Sequence, residues 1–168
     1  MKKVGLFYGE GTAKTARIAK EIQKAFGDIK VDLIAIENAW AKDFTSYENI
    51  IIGTSTWFDG ELPDYWDEMV PVLNDIDLKG KKVAIFGLGD QVDYPDNFAD
   101  AIGILADIFI SRGATLVGLT STEGYTFSQS RALYKNQFAG LVLDIENQSN
   151  KTTKRISDWV NALKKEFQ

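Results

Sequence analysis

The chain has no cysteine and no histidine among its 168 residues, and only three prolines. Without cysteine there is no disulfide, no thiolate nucleophile and no cysteine-ligated iron–sulfur cluster. Without histidine the most versatile general base and metal ligand is missing as well. No apolar run approaches the roughly 18 residues that a membrane-spanning helix needs, and no charged-then-apolar leader precedes a small-residue cleavage site. These readings point to the cytoplasm. A composition of 45% hydrophobic and 26% charged residues suits one domain with a full core, expected to span residues 1–168 as a monomer.

Positive charge is scarce in the middle of the chain. Between Asp43 and Ser111 fourteen acids face only Lys79, Lys81 and Lys82, whereas the remainder carries ten acids and sixteen bases. The net charge of −5 therefore conceals a middle of −11 and a remainder of +6. Such a division suits electrostatic steering toward a basic protein partner and disfavours nucleic acid, whose phosphates the acidic face would repel.

What is present is organised around Lys3 to Phe26. A short apolar run with Val4, Leu6 and Phe7 breaks at Gly9, and Ile18, Ile22 and Phe26 then recur every four residues, the signature of strand, tight loop and helix. Between strand and helix lies Gly9-Glu10-Gly11-Thr12-Ala13-Lys14-Thr15. Glycines there let backbone approach a ligand, hydroxyls and a lysine can contact an anion, and the helix N-terminus offers unpaired N–H groups. The loop is expected to hold a phosphate.

Further strands are expected at Lys30–Ile36, Asn49–Thr54, Lys82–Gly87 and from Thr115. The third is apolar without alternation, as befits a parallel strand covered on both faces. Phe98, Ile102, Leu105 and Phe109 mark one helical face, and Ile156, Trp159, Val160, Leu163 and Phe167 another. Pro71 predicts a helix boundary or kink within Tyr65–Leu73. The polar stretch Ser121–Gln137, followed by apolar Phe138–Leu143, reads as an insertion that splits the fifth strand. The whole is an α/β, doubly wound sheet. Its ligand belongs beyond the carboxyl ends of the strands, where strand order reverses. Three loops meet there: Gly9–Thr15, Ser55–Leu62 and Leu88–Asn97. Trp57 and Tyr94 lie in the second and third, while Trp40, Trp66 and Trp159 are assigned to packing.

Several motifs fail. Lys14-Thr15 is preceded by Ala13, and Tyr8 stands where a Walker A loop needs its first glycine. Neither Gly9-Glu10-Gly11 nor Gly87-Leu88-Gly89 completes a dinucleotide fingerprint, since Lys14 and Val92 occupy the sixth positions. Gly53-Thr54-Ser55-Thr56-Trp57 stops short of a nucleophile elbow, and no histidine exists to activate Ser55. A receiver domain would need acids ending the first and third strands, where Tyr8-Gly9 and Gly53-Thr54 stand.

The sequence resembles the flavodoxins along nearly its whole length, and specifically their long-chain subgroup. The motifs are FYGxxTxKT after the first strand, GTSTWFDGELP after the third, FGLGDQVDYPDNF after the fourth, and a late GLVLDIENQ. The resemblance implies a five-stranded parallel sheet of order 2-1-3-4-5 with helices on both faces. It also implies a one-electron carrier that holds FMN non-covalently and shuttles between semiquinone and hydroquinone. Flavodoxin is itself a standard example of FMN at a switch point, so that placement belongs to the family and not to the spacing of this chain.

Residue by residue, the resemblance puts the FMN phosphate against Glu10, Gly11, Thr12, Ala13, Lys14 and Thr15. Trp57 and Tyr94 would sandwich the isoalloxazine, with Ser55, Thr56, Phe58, Asp59 and Gly60 toward its redox edge. Gly87, Leu88, Gly89 and Asp90 would lie on its pyrimidine side, and Asn97 and Glu146 near the ribityl or ring edge. The implied partners have basic docking surfaces: ferredoxin-NADP reductase, photosystem I, nitrogenase reductase or similar. The alternatives are an FMN-dependent NAD(P)H or quinone reductase on the same fold, and a flavin-free interaction module.

Acids near the flavin, drawn from Asp59, Glu61, Asp64, Asp67, Asp90, Asp93 and Asp96, are expected to lower its potential. One unit charge about 8 Å away at an effective dielectric near 20 costs roughly 2 kcal/mol, or nearly 100 mV for one electron. Two stretches depart from the family pattern, the phosphate loop and Phe58-Asp59, where many long-chain relatives carry a polar residue first. Glu10 stands where relatives usually carry a hydroxyl, Ala13 where they carry glycine. A carboxylate near the phosphate costs about one decade in affinity unless Glu10 turns outward or pairs with Lys14 or Arg17. In Phe58-Asp59 neither residue is glycine, so a turn with positive φ there costs on the order of 1 kcal/mol.

Overall fold

A computed structural model describes all 168 residues. In chain order the elements are β1 (Val4–Tyr8), α1 (Ala13–Ala25), β2 (Val31–Ala35), α2 (Ala41–Thr45), β3 (Asn49–Ser55), α3 (Asp64–Asp67), α4 (Val70–Leu73) and β4 (Lys82–Leu88). Then follow α5 (Asp100–Ser111), β5 (Thr115–Val117), β6 (Leu133–Tyr134), β7 (Gln137–Phe138), β8 (Leu141–Leu143) and α6 (Thr152–Glu166). The sheet runs β2-β1-β3-β4-β5, every pairing parallel, which is the order that the resemblance implied.

The fifth strand is split as expected. Lys82–Ala84 of β4 pairs with β5, whereas Phe86–Leu88 pairs with β8, so one neighbour hands over to another along a single strand. The intervening chain leaves the sheet and makes the two-residue antiparallel pair β6–β7. At the handover the backbones nearly touch: a Cβ on Gly140 would stand 2.0 Å from the Ile85 carbonyl oxygen.

Unbroken apolar runs in β3 and β4 have their reason in two separate core layers. Ile50, Ile52, Val83 and Ile85 face a layer closed by Phe44, Leu73, Phe98, Ile102, Leu105 and Phe109. Ile51, Ala84 and Phe86 face the other, closed by Ile18, Ile22, Ile156, Trp159 and Leu163. Both sheet faces are covered, so the middles of the central strands are apolar on both sides, and the buried polar Asn49 and Thr54 lie toward the ends of β3. The region around Pro71 is two short helices, α3 and α4, with Pro71 in the first turn of the second, where a missing N–H costs nothing. Trp66 and Trp159 are buried and donate to the carbonyls of Gly53 and Gly118 at 2.9 and 2.8 Å. Trp40 departs from its expected packing role: it is 71% exposed at the start of α2. No helix is long and apolar enough to cross a membrane.

Candidate functional site

Register fixes where the site forms. Tyr8 is level with Gly53, Ser55 with Leu88, and Leu88 with Leu143, so the loops after β1, β3, β4 and β8 leave the same sheet edge. They enclose a cleft of about 480 Å³, within the range of small-molecule sites. The β1 loop contributes Thr12 and Lys14, the β3 loop Ser55, Thr56, Trp57 and Phe58. Leu88, Gly89, Asp90, Asp93, Tyr94, Asn97 and Ala99 come from the end of β4 and its loop, Ile145 and Glu146 from the β8 loop.

At the phosphate loop, α1 begins with a bare first turn. Its N-cap Thr12 makes no side-chain cap hydrogen bond, and no acid lies in the turn. The first N–H groups of a helix have no carbonyl before them, and the helix dipole leaves positive potential there. Thr15 adds a second open donor: its side chain is 0% exposed and its Oγ1 has no hydrogen-bond partner. A buried hydroxyl left unpaired costs about 1–3 kcal/mol, so an anion at this turn would answer a deficit that the protein does not fill itself. Tyr65 stands behind the loop. Its phenol is 3.4 Å from Thr12 Oγ1, and a Cβ on Gly9 would lie 2.2 Å from its ring.

Glu10 points into solvent, as one of its two expected arrangements required, but it does not pair with Lys14 or Arg17. Lys14 pairs with Glu146, bridging the β1 and β8 loops, and Arg17 with Glu21 at 3.9 Å. The N–H groups of Glu10 and Gly11 instead donate to the Glu37 carboxylate, each at 3.2 Å. Glu37 did not emerge from the sequence because β2 carries it back across 26 positions. The alignment of Tyr8 with Ala35 makes that return, and it is not a local pattern.

The aromatic walls are held by their own loops. Trp57 Nε1 donates to Ser55 Oγ at 3.1 Å, and the indole meets the Tyr65 ring edge-on at 5.9 Å. Its loop closes through Trp57 N–H to the Glu61 carbonyl and Glu61 N–H to the Trp57 carbonyl, at 2.9 and 2.8 Å. Within this turn Phe58 has φ 46° and Gly60 φ 95°. The left-handed cost therefore falls on Phe58 and not on Asp59. Tyr94, 52% exposed, stands on a loop pinned by Asp90, whose carboxylate accepts the N–H groups of Val92 and Asp93 at 3.0 Å and the Asn147 amide at 2.8 Å. Burial alone would raise the Asp90 pKa, but these donors outweigh it and hold the carboxyl below its usual range. Beneath the loop, Asp144 is fully buried and accepts both the backbone and the side-chain N–H of Gln91, at 3.1 and 2.7 Å.

Seven of the residues assigned from the resemblance do not line the cleft: Glu10, Gly11, Ala13, Thr15, Asp59, Gly60 and Gly87. Glu10, Gly11, Ala13 and Asp59 are exposed, whereas Thr15 and Gly60 are buried. Gly87 is different, since it lies within β4, where an added Cβ would meet Ile102 at 2.6 Å, and its place is helix packing. Ala99 and Ile145 line the cleft without having been assigned to it, and Asp93, expected only as one of the acids near the flavin, lines it too. Adjacency to Tyr94 and Glu146 was the available signal for Asp93 and Ile145.

Asp100 braces the β3 loop from below. It is 6% exposed and accepts the Arg131 N–H at 2.7 Å, and a Cβ on Gly60 would lie 2.5 Å from its Oδ2. Burial pushes its pKa up, against the hydrogen bond and charge of Arg131. A raised carboxyl pKa means that the folded state holds the proton more tightly, so stability is lost as pH rises through the carboxylate range. Asp100→Asn keeps an acceptor for Arg131 and removes the titration. Denaturant unfolding should show its stability rising relative to the parent as pH climbs from about 4 through the raised Asp100 pKa.

Known proteins give the arrangement a context. The flavodoxin family model matches residues 6–159. A flavodoxin of Nostoc sp. is 48% identical over 166 residues, covering 99% of this chain and 98% of the relative. One of Synechococcus elongatus is 48% identical over 168 residues, covering 99% of each. The crystal structure of Fusobacterium nucleatum flavodoxin bound to flavin mononucleotide superposes with a TM-score of 0.96 at 37% identity, over 100% of both chains.

Proposed function

Because this chain belongs to the flavodoxin family, we propose that it works in the cytoplasm as a one-electron carrier, with FMN bound non-covalently in the cleft between Thr12, Trp57, Tyr94 and Glu146. The observation that carries this reading is the unpartnered Thr15 hydroxyl under a bare helix start, beside a cleft with two aromatic walls. When bound, FMN supplies the electron chemistry, exchanging single electrons between its one-electron and two-electron reduced forms.

The protein's part is binding, orientation and electrostatics. The N–H groups along the Glu10–Thr15 loop, with the Thr12 and Thr15 hydroxyls, would hold the phosphate. Trp57 and Tyr94 would flank the ring, while Leu88, Gly89 and Asp90 would line one edge and Thr56 and Phe58 the other. Asp59, Glu61, Asp64, Asp67, Asp93 and Asp96 are all exposed. Their negative potential opposes further charge on the cofactor, which lowers its potential, and orients a partner with a basic face, such as a ferredoxin-NADP reductase, photosystem I or nitrogenase reductase.

An anaerobic redox titration with bound FMN quantified tests this. The expected result is one FMN per chain with two separated one-electron steps, and almost no NADPH oxidation in the presence of a quinone unless a reductase is added. Failure to bind FMN, or steady-state NADPH–quinone turnover by the pure protein, would overturn it.

A further inference from the structure

Glu37 belongs to the turn between β2 and α2, yet its carboxylate reaches back over the loop after β1. Oε2 accepts the Glu10 N–H and Oε1 the Gly11 N–H, each at 3.2 Å. Successive peptide N–H groups converging on one anion form the kind of nest that binds phosphate. We propose that Glu37 is a tethered anion that competes with the phosphate of the cofactor for this loop, so that binding requires a side chain to be displaced. The inference rests on the reading above, in which the Glu10–Thr15 loop receives that phosphate.

Three observations support competition over simple bracing. The first is that both donors used by Glu37 lie in the segment that faces the phosphate in that reading, so a carboxylate on them removes two N–H groups from the supply. The second is that the negative charge there is not neutralised. Lys14, the one base within the loop, is engaged by Glu146, while Arg17 pairs with Glu21 and both Lys3 and Lys30 with Asp32. Burial raises the pKa of the Tyr8 phenol at the end of β1, and the charges of Glu10 and Glu37 raise it further, so both carboxylates act on this spot. The third is that Glu37 is exposed, which lets its side chain swing into water without opening the core.

The loop thus carries its own low-affinity substitute for phosphate. With Glu10 as a second unneutralised carboxylate, the chain is expected to hold FMN less tightly than its backbone donors alone would allow. A carboxylate that only braced the loop would have the opposite effect, since its removal would loosen the donors and weaken binding.

The test titrates apo-protein with FMN and with riboflavin, which lacks the phosphate, at low salt. The parent chain, Glu37→Gln and Glu37→Ala are compared. Competition predicts that FMN binds about tenfold tighter to both variants while the riboflavin constant stays unchanged. It also predicts that inorganic phosphate alone raises the apo-protein thermal midpoint at lower concentration in the variants than in the parent. Unchanged or weaker FMN binding in both variants would overturn the proposal, and so would equal tightening for FMN and riboflavin. If the parent binds riboflavin as tightly as FMN, the phosphate-loop reading itself fails, and the proposal fails with it.

Discussion

Trp57→Ala should weaken FMN binding by about 100-fold, or close to 3 kcal/mol. A ring of this size buries some 150–250 Å² when fully covered, and covering one face against a flavin is worth about 2 kcal/mol at roughly 25 cal/mol per Å², with about 1 kcal/mol more from aromatic geometry. Little of that is already spent within the apo-protein, because Trp57 is only half-buried and meets Tyr65 and Phe58 edge-on, at 5.9 and 6.3 Å. The indole also lines the cleft, so contact with a cofactor there adds to its burial. Fluorescence titration of apo-protein gives the constant, and Trp57→Phe should recover most of the loss by keeping a ring. A loss below about fivefold in Trp57→Ala would mean that the indole does not cover the cofactor.

Thr15→Val should move two quantities in opposite directions. The Thr15 hydroxyl is buried without a partner, so replacing it by a methyl of similar volume removes a desolvation penalty of about 1–3 kcal/mol. The apo-protein should therefore gain about 1 kcal/mol in urea unfolding. FMN binding should fall about 10- to 100-fold, because a hydrogen bond to a charged acceptor contributes roughly 1.5–3 kcal/mol. Thr15→Ser keeps the donor and should preserve affinity. A variant that loses apo stability would show that the hydroxyl is already satisfied, and the case for an anion at this turn would lose its main support.

The sheet was legible because each strand is a separate apolar run and each helix repeats on one face, signals that survive without tertiary information. The cleft was legible through the topology rule, which selects loops before any side chain is considered. What escaped the sequence depends on contacts between distant segments. Glu37 looks like an ordinary polar residue after β2 until the register of β1 and β2 lays it over Gly11. Gly87 lies in the fourth strand as expected, but it packs on Ile102 of α5, a contact between distant segments that keeps it out of the cleft. The absence of glycine at positions 58 and 59 announced strain without saying which residue bears it. The Trp57–Glu61 closure places it on Phe58. Trp40 was assigned to packing, and at the start of the short α2 it is left in solvent.

The handover along β4 has a consequence for the order in which the molecule is made. Half of that strand acquires its neighbour from Thr115–Val117, but the half that ends at the cleft waits for Leu141–Leu143. Asp144, which anchors Gln91, and Glu146, which ties down Lys14, arrive only with that last strand. A chain emerging from the ribosome can thus pair β1 to β4 and cover one face of them before its cleft has a fourth wall, while the other face still awaits α6. Cofactor capture therefore becomes a late event in synthesis, and a truncated chain that ends before residue 141, lacking both that wall and α6, should retain no flavin.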